Sequence, residues 1–412
     1  MAAKRVLAGL AVILVAGAIA AVALKAQDHT SGDWRAEFGN FGSGPDCVYL
    51  QLRSGWDDNH GFTIDTSKLW GWSPSFASAA KADAKFELRR DAGTISFTGE
   101  FQNGLGVGHY NFAANSEYVS GMKNLGYANL TNDQLFTFTL HDLSRDFVQQ
   151  MSALGYKDLA LDQLVAFRIH DVSPDYVKAM RALNLDDLTA DRLVALRIHG
   201  ATPEYVKAMT EAGLGRLSTE QVTSLRIHGA TPDYVNAMKT AIGTKELTVD
   251  QVLAMRIHGV TPELAREMPS LGVAHPTVDQ LVEMKIHGAS PDYIHELHDL
   301  GYTQLNASQI VEMRIHGVSS DYIHEMRELG YDHPSTETLV NMRIHGVSPD
   351  YVRELKDLGY DKVPLEKLVE MRIHGVNGSF IRDVQSHGYK NVSVDDLIDM
   401  RIHGGWRRTS MD

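Results

Sequence analysis

Histidine carries the most chemistry per residue in this sequence, and its histidines are regularly placed. His141, His170, His199, His228, His258, His287, His316, His345, His374 and His403 follow one another at intervals of 29 residues, except for one of 30 between His228 and His258. An imidazole can act as general base, proton relay or metal ligand. Equivalent positions in successive copies of a repeat stand about a helix-pair width apart, however, whereas zinc needs its nitrogens at about 2 Å from one centre. Stacked histidines therefore do not share an ion, and no metal site is expected from them. A structural role is expected instead, each histidine closing a helix and bonding to a carbonyl or to the adjacent cap. Two positions before nine of these histidines stands a cation: Arg168, Arg197, Arg226, Arg256, Lys285, Arg314, Arg343, Arg372 and Arg401. These arginines are expected to pair across repeats with the acid that follows each Ser/Thr-Pro; the other reading is a charged binding stripe.

The remaining clusters fall short of catalytic patterns. A helical metallopeptidase needs H-E-x-x-H, and both His295-Glu296-Leu297-His298 and His324-Glu325-Met326-Arg327-Glu328 miss that spacing. Neither G-x-S-x-G nor a phosphate loop occurs, and Cys47 lies within a strand-like run, away from any activating partner. Asp57-Asp58-Asn59-His60 offers oxygen ligands without the turn glycine of a calcium loop and reads as a solvated turn. Trp56, Trp70 and Trp72 could form an aromatic platform for sugars, with core packing as the commoner use of such side chains. No catalytic, cofactor or metal residue is predicted, and the chain is not expected to be an enzyme.

The elements that must position the histidines follow from one copy of the repeat. Ser348-Pro349-Asp350 supplies a hydroxyl N-cap, a first-turn proline and an acid at the positive end of a helix. Tyr351, Val352, Leu355 and Leu358 form an apolar stripe at helical spacing, and Gly359 stops the helix, followed by Tyr360. The second helix opens on a small hydroxyl with an acid two positions later, as in Thr248-Val249-Asp250 and Ser393-Val394-Asp395. Leu368, Val369, Met371 and Ile373 are expected to supply its buried face, with Arg372, His374 and Gly375 ending it. Each helix is only about ten residues and would not persist alone, so neighbours must supply the burial. The first-helix aromatic position (Tyr118, Phe147, Tyr176, Tyr205, Tyr234, Leu264, Tyr293, Tyr322, Tyr351, Phe380) keeps the histidine register, which gives ten repeats over 115–403. The one extra residue falls between Met238 and Leu247, where the joining loop is expected to take it.

Upstream, residues 34–112 alternate with period two. Val48, Leu50 and Leu52 are one example; Phe86 with Leu88 and Ile95 with Phe97 are others. Asp91-Ala92-Gly93 and Gln102-Asn103-Gly104 stand between runs as hairpin turns. Gly104, Gly106 and Gly108 point to a bulge or a close backbone approach in the last strand. A small antiparallel β domain of roughly five to seven strands results, packed directly on the first repeat. The expected class is therefore α+β: this domain followed by an α-solenoid of ten helical hairpins, with a 404–412 tail.

Lys4 and Arg5 precede an apolar run, Val6 to Leu24, with small residues allowing cleavage after Ala23 or Ala26. Residues 1–26 read as a signal peptide, or as a membrane anchor if uncleaved. Either places the remainder outside the cytoplasm, periplasmic or secreted. The single cysteine allows no intrachain disulfide. Removing 1–26 takes away Lys4, Arg5 and Lys25 and moves the formal charge from −13 to −16, a sign that repels phosphate backbones and argues against nucleic acid as a partner.

Gly346 to Gly375 (G-V-S-P-D-Y-V-R-E-L-K-D-L-G-Y … L-V-E-M-R-I-H-G) resembles the repeats found after the membrane-embedded peptidase of some bacterial antirepressor-type zinc metallopeptidases, relatives of the β-lactam sensors. Phe86 to Tyr118, with R-D-A-G-T (Arg90 to Thr94), is similar to the β region preceding them. The multi-span membrane region and the H-E-x-x-H site of that family are absent from this sequence, so no catalytic residue carries over. The resemblance implies an extracytoplasmic sensor or docking module. The expected function is a non-enzymatic scaffold whose concave face binds a protein or peptide; the alternative is glycan or cell-wall binding through the Trp-bearing β domain. Membrane contact is expected only through an uncleaved N-terminus, and end-to-end self-association stays open.

Overall fold

In a computed structural model, residues 30–38, 46–55 and 59–404 are described. The leader-like segment 1–26, Trp56, Asp57-Asp58 and the tail from 405 lie outside the described residues. The chain is α+β, an N-terminal antiparallel sheet followed by twenty α-helices among the described residues. It divides into two compact parts, Met1–Pro203 and Glu204–Asp412.

The first part opens with β1 (Ser31–Phe38), β2 (Cys47–Arg53), β3 (Asn59–Asp65), β4 (Leu69–Trp70), β5 (Ala82–Arg89), β6 (Gly93–Gln102) and β7 (Leu105–Ala114). Their order in the sheet is β3-β2-β1-β7-β6-β5-β4, every pair antiparallel. Alternate residues face a core of Trp34, Val48, Leu50, Leu52, Phe86, Leu88, Ile95, Phe97 and Phe101. Strands in a flat sheet lie about 4.8 Å apart, so β1 and β5, three strands away, would be far from touching. Yet the rings of Trp34 and Phe86 are 5.4 Å apart at their centroids. The sheet curls around its aromatic side. Gly106 and Gly108 permit this close approach: a Cβ on Gly106 would lie 2.6 Å from the Trp34 ring. The indole N–H of Trp34 donates to the Thr98 carbonyl at 3.1 Å.

Six helices follow in this part: α1 (Ser116–Asn124), α2 (Asn132–Leu140), α3 (Arg145–Ala153), α4 (Leu161–Ile169), α5 (Pro174–Ala182) and α6 (Ala190–Ile198). Helix α2 lies on the sheet, with Phe136 stacked on Tyr110 at 5.7 Å and set edgewise to Phe112 at 5.5 Å. The β5–β6 turn holds the helices electrostatically. Asp91 takes a bidentate pair from Arg145 at 2.8 and 3.0 Å, and Arg90 reaches Asp142 at 2.6 Å. The R-D pair of the R-D-A-G-T stretch is thus the fastening between sheet and helices. His141 at this junction has its pKa lowered, by burial first and then by His60 and Arg168 nearby.

The second part holds α7 (Pro203–Met209), α8 (Thr219–Ile227), α9 (Pro232–Ile242), α10 (Val249–Ile257), α11 (Pro262–Glu267), α12 (Val278–His287) and α13 (Pro291–Asp299). It continues with α14 (Ala307–Ile315), α15 (Ser320–Glu328), α16 (Thr336–Ile344), α17 (Pro349–Asp357), α18 (Leu365–Ile373), α19 (Gly378–Ser386) and α20 (Val394–His403). Helices α8 to α20 contact one another in succession at every even number, and α13 to α19 at every odd one. The caps are those written in the sequence: Ser348 Oγ accepts from the Tyr351 amide at 3.1 Å, and Gly359 follows the helix at φ 95°. Thr277 and Gln280 close a reciprocal capping box on α12. The extra residue of the 30-residue interval lengthens helix α9, which runs to Ile242, rather than the loop after it. Pro269 has no N–H to give, and α11 accordingly stops at Glu267 and yields to a 3₁₀ turn.

Candidate interaction surface

Each R-I-H-G stretch is the last turn of an even-numbered helix. In α14 the amide of Gly317 bonds to the Arg314 carbonyl at 3.1 Å and that of Val318 to the Met313 carbonyl at 2.8 Å. This is a Schellman closure, and it puts Gly317 in the left-handed region at φ 70°. The two copies with aspartate there, Asp142 and Asp171, adopt the same conformation at φ 55°. A short side chain that can pair with a cation tolerates that conformation. Asp142 and Asp171 take the guanidinium groups of Arg168 and Arg197 respectively.

The arginines lie on rings. Arg197 sits 4.9 Å from the ring centre of Tyr176, and Arg226, Arg256, Arg314, Arg343 and Arg372 sit 4.6–4.9 Å from Tyr205, Tyr234, Tyr293, Tyr322 and Tyr351. Each pair joins the two helices of one repeat. Arg197 also donates through Nε to the carbonyl of His170, the end of the preceding repeat, and Arg256 does the same to His228. The expected partner was the acid after Ser/Thr-Pro. Asp175 and Asp350 instead pair within their own helices, with Lys178 and Arg353. An acid in the first turn of a helix is far better placed for a side chain three residues on. Where the ring is missing, so is the arginine: Leu264 and Lys285 occupy the two positions of one repeat.

The tyrosine hydroxyls complete the links. Tyr176, Tyr205, Tyr234, Tyr293, Tyr322 and Tyr351 donate to the carbonyls of Ala201, Ala230, Val260, Val318, Val347 and Val376 at 2.6–2.9 Å. A second set after the glycines crosses to the following repeat, as Tyr331 to the Val363 carbonyl at 2.8 Å and Tyr360 to Val392 at 2.9 Å. Burial pushes the phenols of Tyr176, Tyr205, Tyr234, Tyr293 and Tyr322 up to about 12, while the arginine on each ring works in the opposite sense. The main-chain carbonyls of His141, His170 and His228 enter this framework, accepting from Nε of Arg168, Arg197 and Arg256. His170, His199, His258, His316 and His345 are half-buried as residues, and His228, His287, His374 and His403 are exposed.

A further expectation is overturned. Ile373 does not belong to the buried face; it is 55% exposed, whereas Leu368, Val369 and Met371 are buried. The reason is helical geometry. Seven residues are nearly two turns, so the isoleucine returns to the side of the first-turn acid, Glu366, and points to solvent. Ile169, Ile198, Ile227, Ile257, Ile286, Ile315, Ile344 and Ile402 are likewise 38–55% exposed. Every helix from α4 to α20 of even number therefore carries one exposed isoleucine at its end. The sequence signal was the interval of seven from acid to isoleucine.

The other predicted sites separate. Trp72 packs into the aromatic core, 4.9 Å from Phe86 and 5.2 Å from Phe76. Trp70 is 61% exposed, with the Arg89 guanidinium 3.7 Å over its ring. A cleft of ≈ 370 Å³ beside α1 and α3 is lined by Asp91, Asn124, Arg145, Asp146 and Gln149; Asp91 pairs with Arg145, and Asp146 accepts from Gln150. Among the described residues no cluster of three or more His, Cys, Asp or Glu is arranged to hold a metal ion. Nor, among them, is any helix long and apolar enough to cross a membrane. No family model matches the sequence, and no curated protein matches it.

Proposed function

We propose that the helical pairs form an α-solenoid and that the protein is a non-enzymatic scaffold, outside the cytoplasm, binding a protein or peptide along the exposed ends of its even-numbered helices. One observation carries this reading: a solvent-exposed isoleucine recurs at the same place in successive repeats whose other large apolar side chains, Tyr389 apart, are not exposed. Scattered exposed apolar residues mean little, but a regular row of them on well-packed elements is what an interaction surface needs. The odd-numbered helices expose charges already engaged, such as Arg353 with Asp350 and Glu325, and Arg382 with Glu354. Extracytoplasmic placement rests on residues 1–26 of the sequence. The glycan reading has less support, because Trp72 is in the core and Arg89 covers one face of Trp70.

The test is site-specific photo-crosslinking in an envelope extract. A crosslinking amino acid replacing Ile315 should capture polypeptide, while the same group at Asp357, on the outer side of α17, should not. Equal capture at both positions, or none at either, would dispose of this reading.

A further inference from the structure

The row of isoleucines changes its surroundings midway. One turn before the isoleucine, the earlier helices carry small neutral residues: Ala166, Ala195, Ser224 and Ala254. From α12 onward the same position becomes Glu283, Glu312, Asn341, Glu370 and Asp399. Glu283 and Glu312 are exposed beside Ile286 and Ile315. On α14 the cation turns away: Arg314 is half-buried, 4.6 Å over Tyr293, with its guanidinium against Gly288, whereas Lys285 of α12 is exposed beside Ile286. The outward-facing charge one turn before Ile286 and Ile315 is therefore acidic and next to apolar surface, while farther along Lys367 already holds Glu370 at 2.7 Å.

From this we propose that the α12–α20 stretch docks an extended, cationic polypeptide segment bearing apolar side chains at every third residue; this rests on the scaffold reading above. Sign decides among the occupants. A second copy of the chain would set acid against acid, and an anionic lipid surface or a nucleic acid would be repelled. Lysine or arginine on the partner would meet Glu283 and Glu312 while its apolar groups cover Ile286 and Ile315. Spacing decides the conformation. Packed helices lie about 8–10 Å apart, and a polyproline-type chain advances about 9 Å in three residues and presents the same side again. A β-strand presents alternate residues to one side, about 6.6 Å apart, and falls out of step.

Fluorescence anisotropy of labelled peptides against the full-length protein tests this. One peptide of roughly 18 residues would carry leucine at every third position with proline and lysine between. Controls are the same composition with leucine shuffled, a version with glutamate for lysine, and a heptad-patterned helical peptide. The period-three lysine peptide should bind best, and added salt should weaken it. Ile315→Ser with Ile344→Ser, and separately Glu283→Lys with Glu312→Lys, should each weaken it about tenfold or more while the melting temperature holds, as exposed positions allow. Equal binding of the shuffled, glutamate or helical peptide would overturn the proposal, and so would variants that bind as the parent does. Crosslinking at Ile315 keeps the two readings apart: capture there without affinity for the lysine peptide removes only the partner chemistry.

Discussion

At the scale of single residues, the tyrosine hydroxyl and the cap glycine explain most of why each repeat reads as it does. The hydroxyl of Tyr322 gives the Val347 carbonyl its partner at 2.9 Å in a buried setting. Tyr322→Phe should cost roughly 1–2 kcal/mol, the usual penalty for a buried acceptor left unpaired. Gly346 stands at φ 72°, and a Cβ there would lie 3.0 Å from a guanidinium nitrogen of Arg372. Gly346→Ala is expected to lose about 1–2 kcal/mol through the left-handed backbone alone. Chemical denaturation measures both, and a loss below about 0.5 kcal/mol for either would refute its assigned role.

At the scale of elements, the arginine–aromatic pair joins the helices of one repeat, and its omission is instructive. The repeat containing α11 and α12 lacks both members, having Leu264 and Lys285. Leu264→Tyr and Lys285→Arg together should stabilise by about 1 kcal/mol more than the sum of the single changes, given the size of a partly desolvated cation–π contact. A double-mutant cycle returning strict additivity would show that the two positions are not coupled.

Burial of the tyrosines in these pairs sets the alkaline limit. A phenol held near 12 in the folded chain and near 10 when unfolded binds its proton more tightly when folded. Its contribution is complete below about pH 10 and is lost as pH rises towards 12. Phenolate absorbance should therefore appear in two stages, exposed tyrosines first, with the second stage coinciding with loss of helical circular dichroism. Complete tyrosine ionisation near pH 10 with helices intact would contradict the buried hydroxyl framework.

At the scale of the whole molecule, the sheet is not self-sufficient on the side that carries Tyr110 and Phe112. Phe136 of α2 covers them, and Asp91 and Arg90 pair with Arg145 and Asp142. A chain ending at Ala114 should expose that apolar surface and bind far more of a hydrophobic dye than the full-length protein does. Dye binding that is equal in the two would mean that the sheet completes its own core. The row of exposed isoleucines belongs to the same scale, since a single one on a surface would carry no argument.

What residue types and intervals determined by themselves was local. The 29-residue period, the caps at Ser348 and Thr248, the stops at Gly359 and Gly375, and the two hairpin turns of the sheet follow from rules that act within a few residues. The antiparallel sheet was legible because alternation marks a half-buried strand, although its curl and its strand order were not. Tertiary structure alone decided what the conserved-looking letters of each repeat touch: arginine lies on a ring about twenty residues earlier in the chain, not on a nearby acid, and Trp72 turns inward while Trp70 stays out. Apolar character suggested that Ile373 was core, and only the direction of the helix face, set by which side its neighbours cover, left it in water.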